Sequence, residues 1–261
     1  MKRILYLLLA ISVVFALSAC GPAPERATQT GNQGSTSQPS PPAESTTETP
    51  SPTPPAEAEL AYEITYSNAY AWVNSIGTIW VQIIVEVKNT GTVPLYLSTG
   101  ALDLEDSSGA LVRSISMVSA YPDVIDPGEK GWYYEETTLD IDEVIDLVVL
   151  PRPDIRRARI DNIRFNVTDV SLSDAQFGGI RMMGRVENTH DEEHSMTYVV
   201  AILYDGNDIP IARLFTIIME PFAPGDRIGF EGSSMSLPRD MTTNDVARFE
   251  AFAYPMQMQF N

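Results

Sequence analysis

The chain has 261 residues, with 17 lysines and arginines against 35 aspartates and glutamates, giving a formal net charge of −18 at pH 7. A surface of that sign repels phosphate backbones and anionic headgroups, which argues against nucleic acid as a partner. Cys20 is the sole cysteine, so no intramolecular disulfide can form and any folded part must rely on core burial.

Residues 1–19 read as an export signal. Lys2 and Arg3 precede an apolar run from Ile4 to Leu17 that is broken only by Tyr6 and Ser12. The run is shorter than the roughly 20 residues of a bilayer span and fits the hydrophobic region of a secretory signal. It leads through Leu17, Ser18 and Ala19 into Cys20 and Gly21. Leu-Ser-Ala-Cys resembles the lipobox of bacterial lipoproteins at all four positions. The resemblance implies a lipidated Cys20 and an extracytoplasmic protein held to the bacterial cell membrane by acyl chains. Each buried CH₂ contributes roughly 0.8 kcal/mol, so two or three chains anchor stably.

Residues 20–59 change character. Pro, Ser, Thr, Gly and Glu dominate, with no apolar period. Such a segment cannot bury enough surface to offset chain entropy and is expected to be a disordered linker. As a coil it reaches roughly 35 Å, and as extended polyproline II about 120 Å.

From Leu60 onward the pattern is that of strands. In "TIWVQIIVEVKN" (78–89), Val81, Ile83, Val85 and Val87 fall on one face and Gln82, Glu86 and Lys88 on the other. This predicts a half-buried strand. "SGALVRSISMV" (108–118) and "GWYYEETTL" (131–139) read similarly, separated by the turn chemistry of "NTGTVP", "DSSG" and "DPGEKG". No segment carries a capped 3.6-residue period, so long helices are not expected.

The strands recur. "EVKNTG" (86–91) returns as "RVENTH" (185–190), and the offset that carries Asn89 onto Asn188 also carries Val87 onto Val186, Leu104 onto Leu203 and Asp106 onto Asp205. Downstream the register slips by two residues, so that "DPGEK" (126–130) meets "APGDR" (223–227). A domain of about 100 residues is therefore present twice, as residues 60–153 and 159–261. "LPRPDIRRAR" (150–159) follows the last expected strand of the first copy, and the copies are expected to fold separately. Short strands with Gly/Pro turns at this length predict an all-β chain of two tandem immunoglobulin-like β-sandwich domains. The second copy resembles the FxLYD domain of bacterial surface lipoproteins through "GRVENT" (184–189), "VVAILYDGNDIPIA" (199–212) and "FAPGDRIGF" (222–230). The name motif stands as Leu203, Tyr204 and Asp205, with Ala201 in place of its aromatic. The resemblance implies a fold and little about activity.

Chemistry-bearing patterns are few. "HDEEH" (190–194) holds both histidines, but it sits between strands and lacks the H-E-x-x-H order of a zinc helix. "DGND" (205–208) and "DIDE" (140–143) do not continue as a calcium loop. No G-x-S-x-G nucleophile elbow and no phosphate-binding loop occur. No cofactor, metal or catalytic residue is assigned, and the chain is not expected to be an enzyme.

Trp132 and Tyr134 are the candidate binding residues. Their size favours burial in the first repeat. The repeat alignment points the other way, because Tyr133 falls opposite Phe230 and would be the core residue, leaving Trp132 and Tyr134 outward. The sequence thus predicts a membrane-anchored, non-catalytic binding or scaffolding module of the cell envelope. Its partner would be an envelope protein or a cell-wall glycan recognised by aromatics of the first repeat. The alternative is a structural spacer or accessory subunit of an envelope complex.

Overall fold

A computed structural model describes residues 58–176, 178–234, 237–238 and 241–257. The signal segment 1–19, Cys20 and the linker up to residue 57 lie outside the described residues. The fold is all-β, in two antiparallel sheets. Among the described residues the one helical element is a 3₁₀ turn, Thr243–Asp245.

The first sheet contains β1 (Tyr62–Val73), β2 (Ile79–Asn89), β3 (Leu95–Glu105), β4 (Leu111–Tyr121), β5 (Val124–Ile125), β6 (Lys130–Leu139) and β7 (Val148–Arg157). The second contains β8 (Asn166–Asp174), β9 (Ile180–Glu187), β10 (Thr197–Tyr204), β11 (Pro210–Ile218), β12 (Arg227–Ser233) and β13 (Arg248–Pro255). Leaving aside the two-residue β5, the first sheet is ordered β1-β2-β6-β4-β3-β7 and the second β8-β9-β12-β11-β10-β13. The two orders are the same, position by position. The rungs agree as well: Val85 pairs with Tyr133 in the first sheet, and Gly184 with Phe230 in the second.

Each sheet rolls towards closure. β4 pairs with β3 up to Val118 and with β6 from Ser119, turning the corner next to Met117, whose φ is 60°. β7 returns beside β1, and Phe165 bridges Ala253 to bring the entry of β8 against β13. β7 runs on to Arg157 and includes Pro151 and Pro153, residues read from the sequence as following the last strand. Among the described residues it pairs only with β3, and an edge strand tolerates proline because one side of its backbone has no ladder to supply.

Each roll encloses its own core. Val81, Ile83, Val85, Val87, Leu97, Leu104 and Tyr133 belong to the first, and Met182, Val186, Leu203, Leu214, Phe222 and Phe230 to the second. The repeated phrase closes both. Asn89 Nδ2 donates to the carbonyls of Val93 and Ile125 at 2.9 and 3.1 Å. Asn188 Nδ2 donates to those of Glu192 and Phe222, both at 2.8 Å. Their Oδ1 atoms accept from the N–H of Gly91 and His190. Both asparagines are buried, and each ties the end of a strand to two neighbouring backbone segments.

Candidate functional site

The face of β2 expected to meet water is not free. Gln82 and Glu86 are as buried as the valines on the opposite face. The cause is a third apolar cluster between the sheets, in which Ile84, Trp132 and Tyr134 meet Val200, Ile202, Tyr204 and Tyr254. Trp132 and Tyr134, the candidate binding residues, are 3% and 2% exposed. They do point outward from the first sheet, as the repeat register requires, while Tyr133 points into its core. The second sheet covers them, so they form an internal contact and present no surface to solvent.

Several polar groups of this contact are matched, while the buried Nε of Arg213 has no hydrogen-bond partner among the described residues. Trp132 Nε1 donates to Glu86 Oε2 at 3.0 Å. Glu86 Oε1 accepts from Thr65 Oγ1 at 2.7 Å and pairs with Lys130 Nζ at 2.8 Å. A buried carboxylate is tolerable only with such partners. The Tyr134 hydroxyl shares its one proton between Glu136 Oε1 and Gln82 Oε1, the latter at 2.9 Å, and Gln82 Nε2 donates to the Ile211 carbonyl at 2.6 Å, tying β2 to β11. Burial pushes the Tyr134 and Tyr254 hydroxyls well above their ordinary range, so both remain protonated.

Arg213 adds a buried cation. Its guanidinium carbon lies 4.3 Å from the ring centroid of Tyr134, 4.7 Å from Tyr121 and 5.0 Å from Phe215. Two of these rings come from the first sheet and one from the second. A guanidinium held against ring faces on several sides gains cation–π attraction that is stronger once water is excluded. The connecting segment is fastened too. Asn162 donates to Asp126 Oδ2 and Glu129 Oε2, and Arg164 Nη2 donates to the Val124 carbonyl at 2.6 Å.

Beside this contact an open cleft of about 350 Å³ remains. One wall is the outer face of β1 and β2, where the cross-strand pairs Tyr70–Gln82 and Asn68–Ile84 lie next to Tyr66. The other wall is the turn from β10 to β11, carrying Asp205 and Ile209, with Ile211 at the start of β11 and with Met241 and Asp245. Tyr70 stacks on Trp72 with centroids 5.9 Å apart and yet is 49% exposed. Burial raises the Tyr66 hydroxyl; a hydrogen bond with Asn68 opposes this, and the charge of Asp205 adds to it. The Asp205 carboxyl is held below its usual range by the backbone N–H of Ile209 and, less strongly, of Asn207, so it is anionic at neutral pH.

The remaining sequence candidates have structural roles. Asp205 Oδ1 accepts from the N–H of Asn207 and Ile209, and Asp106 Oδ1 does the same for Ser108 and Ala110, so the acidic turn of each repeat is an Asx turn. His190 and His194 pack edge-on or tilted against Phe165, with their own ring centroids 6.4 Å apart. His190 Nε2 lies 3.1 Å from the Arg164 carbonyl, so the loop caps the second core. Among the described residues no group of three or more His, Cys, Asp or Glu is placed to hold a metal ion. Cys20 lies outside the described residues.

Sequence reasoning missed the inter-sheet face and the cleft. One signal was present: "TYVVAILY" (197–204) is apolar on both faces, the mark of a strand covered on each side. Comparison with protein-family models gives no match, and none of the curated proteins matches the chain.

Proposed function

We propose that the chain is an exported, non-catalytic binding module, lipid-anchored through Cys20 and lifted from the bacterial membrane by its linker. In this reading its folded part is two immunoglobulin-like β-sandwich repeats, the second akin to FxLYD domains, joined so that a recognition cleft forms between them. The observation that carries it is the cleft itself, a concave site with exposed aromatic surface and carboxylates beside a contact that is otherwise packed and hydrogen-bonded. The lipobox-like Leu-Ser-Ala-Cys supports the anchor. A glycan-binding role for Trp132 and Tyr134 loses its motivation, since both rings are buried.

The test has two arms. Cell fractionation of Cys20→Ala should move the protein from the membrane to a soluble exported or unprocessed form; quantitative retention in the detergent phase after signal cleavage would refute the anchor. A thermal-shift screen of the full chain in detergent, using small envelope metabolites and oligosaccharides, should give at least one stabilising compound whose effect disappears in Tyr70→Ala. Stabilisers that act equally on Tyr70→Ala would place recognition elsewhere and favour the spacer.

A further inference from the structure

The cleft's chemistry restricts what can fill it. Its polar floor is already engaged: Gln82 uses Nε2 on the Ile211 carbonyl and Oε1 on the Tyr134 hydroxyl. Asp205 commits Oδ1 to its turn, and Asp245 commits Oδ2 to the N–H and hydroxyl of Thr242. Each carboxylate keeps a second oxygen, and among the described residues neither forms an ion pair. The described lining residues include no lysine or arginine. What the described lining offers a ligand is therefore carboxylate lone pairs, tyrosine rings and aliphatic surface.

We propose that this cleft binds a small organic cation, an alkylammonium compound whose charge is met by Asp205 and Asp245 and whose carbon body lies against Tyr66 and Tyr70. The assignment rests on the reading of the cleft as the recognition site. An ammonium group supplies donors to oxygens that can only accept, and its charge is attracted to aromatic faces. An anion would meet two carboxylates and no cation among the described residues. A volume of about 350 Å³ is at the small end for ligand sites, which suits a compound of this class.

The experiment is isothermal titration of the full chain in detergent with spermidine and with tetramethylammonium, and with a neutral N-acetylglucosamine trimer as the contrast. Asp205→Asn and Asp245→Asn keep an oxygen acceptor for the turn and remove only the charge. Each should weaken amine binding about tenfold, and Tyr70→Ala should weaken it comparably. Glu193→Gln, in the exposed histidine loop, should leave it unchanged. Amine binding that is equal in all four variants would be diffuse attraction to an acidic surface and would overturn the cation assignment. Trimer binding that is lost in Tyr70→Ala, with no amine binding, would overturn the cation while leaving the cleft as the site. No binding of any probe that depends on Tyr70, Asp205 or Asp245 would sink both.

Discussion

Replacing Trp132 with alanine tests whether the two sheets work as one body. The side chain is 3% exposed and stacks on Phe252 at a centroid distance of 5.8 Å with 20° between the planes. Deleting a buried tryptophan costs about 3–5 kcal/mol in transfer and cavity terms. The variant also takes one donor from Glu86, a carboxylate that is 4% exposed. Thr65 and Lys130 remain to it, so this adds about 1 kcal/mol rather than the full cost of an orphaned charge. The sum is about 4–6 kcal/mol, against a stability of about 5–15 kcal/mol for an ordinary domain. The loss falls on the contact between the sheets and leaves both cores intact. Urea denaturation followed by far-UV circular dichroism should therefore show one transition for the wild type, and for Trp132→Ala a transition at lower urea that separates into two. Trp132→Phe keeps the ring stack, loses only the Nε1–H bond, and should cost about 1–2 kcal/mol. A loss below about 1 kcal/mol for Trp132→Ala would refute the reasoning, because it would mean that the second sheet does not cover this face in solution.

Two further outcomes follow from the described contacts. Asn89→Ala and Asn188→Ala each remove a buried side chain that serves two carbonyls and one backbone N–H, so each should cost about 2–3 kcal/mol; a melt in which one is costly and the other neutral would show that the repeated phrase does not do the same work in both sheets. Asp123 has its carboxyl pushed up to about 6, chiefly by burial, with nearby backbone N–H groups and Arg164 opposing. The folded value lies above the unfolded one, so its favourable contribution is complete below about pH 4 and is lost as pH rises through about 6. With its partial exposure discounted, Asp123→Asn should be neutral near pH 4 and stabilising by about 1–2 kcal/mol at pH 7; an equal effect at both pH values in thermal melts would contradict the assignment.

How much of this could be read from the sequence differs with the range of the interaction. The strand period of 79–89 and 130–139 was legible because alternation is local, and the likeness of the two sheets because Asn89 and Asn188 make equivalent closing contacts in each. The "GWYYEE" stretch shows where local reading stops. Side-chain size asked for Trp132 and Tyr134 to be buried, and the repeat register asked for them to face away from the core. The structure satisfies both, because outward from the first sheet is inward to the contact with the second. Neither consideration contained that third body. Glu86 and Gln82 misled for the same reason: a charged or amide residue in an alternating strand signals solvent unless its partners are known. Here the partners are Trp132 Nε1, Lys130 Nζ and a carbonyl in the other repeat. The cleft was less legible still, since its two walls come from β1 and from the turn before β11, and no local pattern relates Tyr66 to Asp205. Two sheets of the same strand order can thus bury against each other a face whose own alternation marks it as exposed, and a cleft is left at the margin of that interface, where the packing stops.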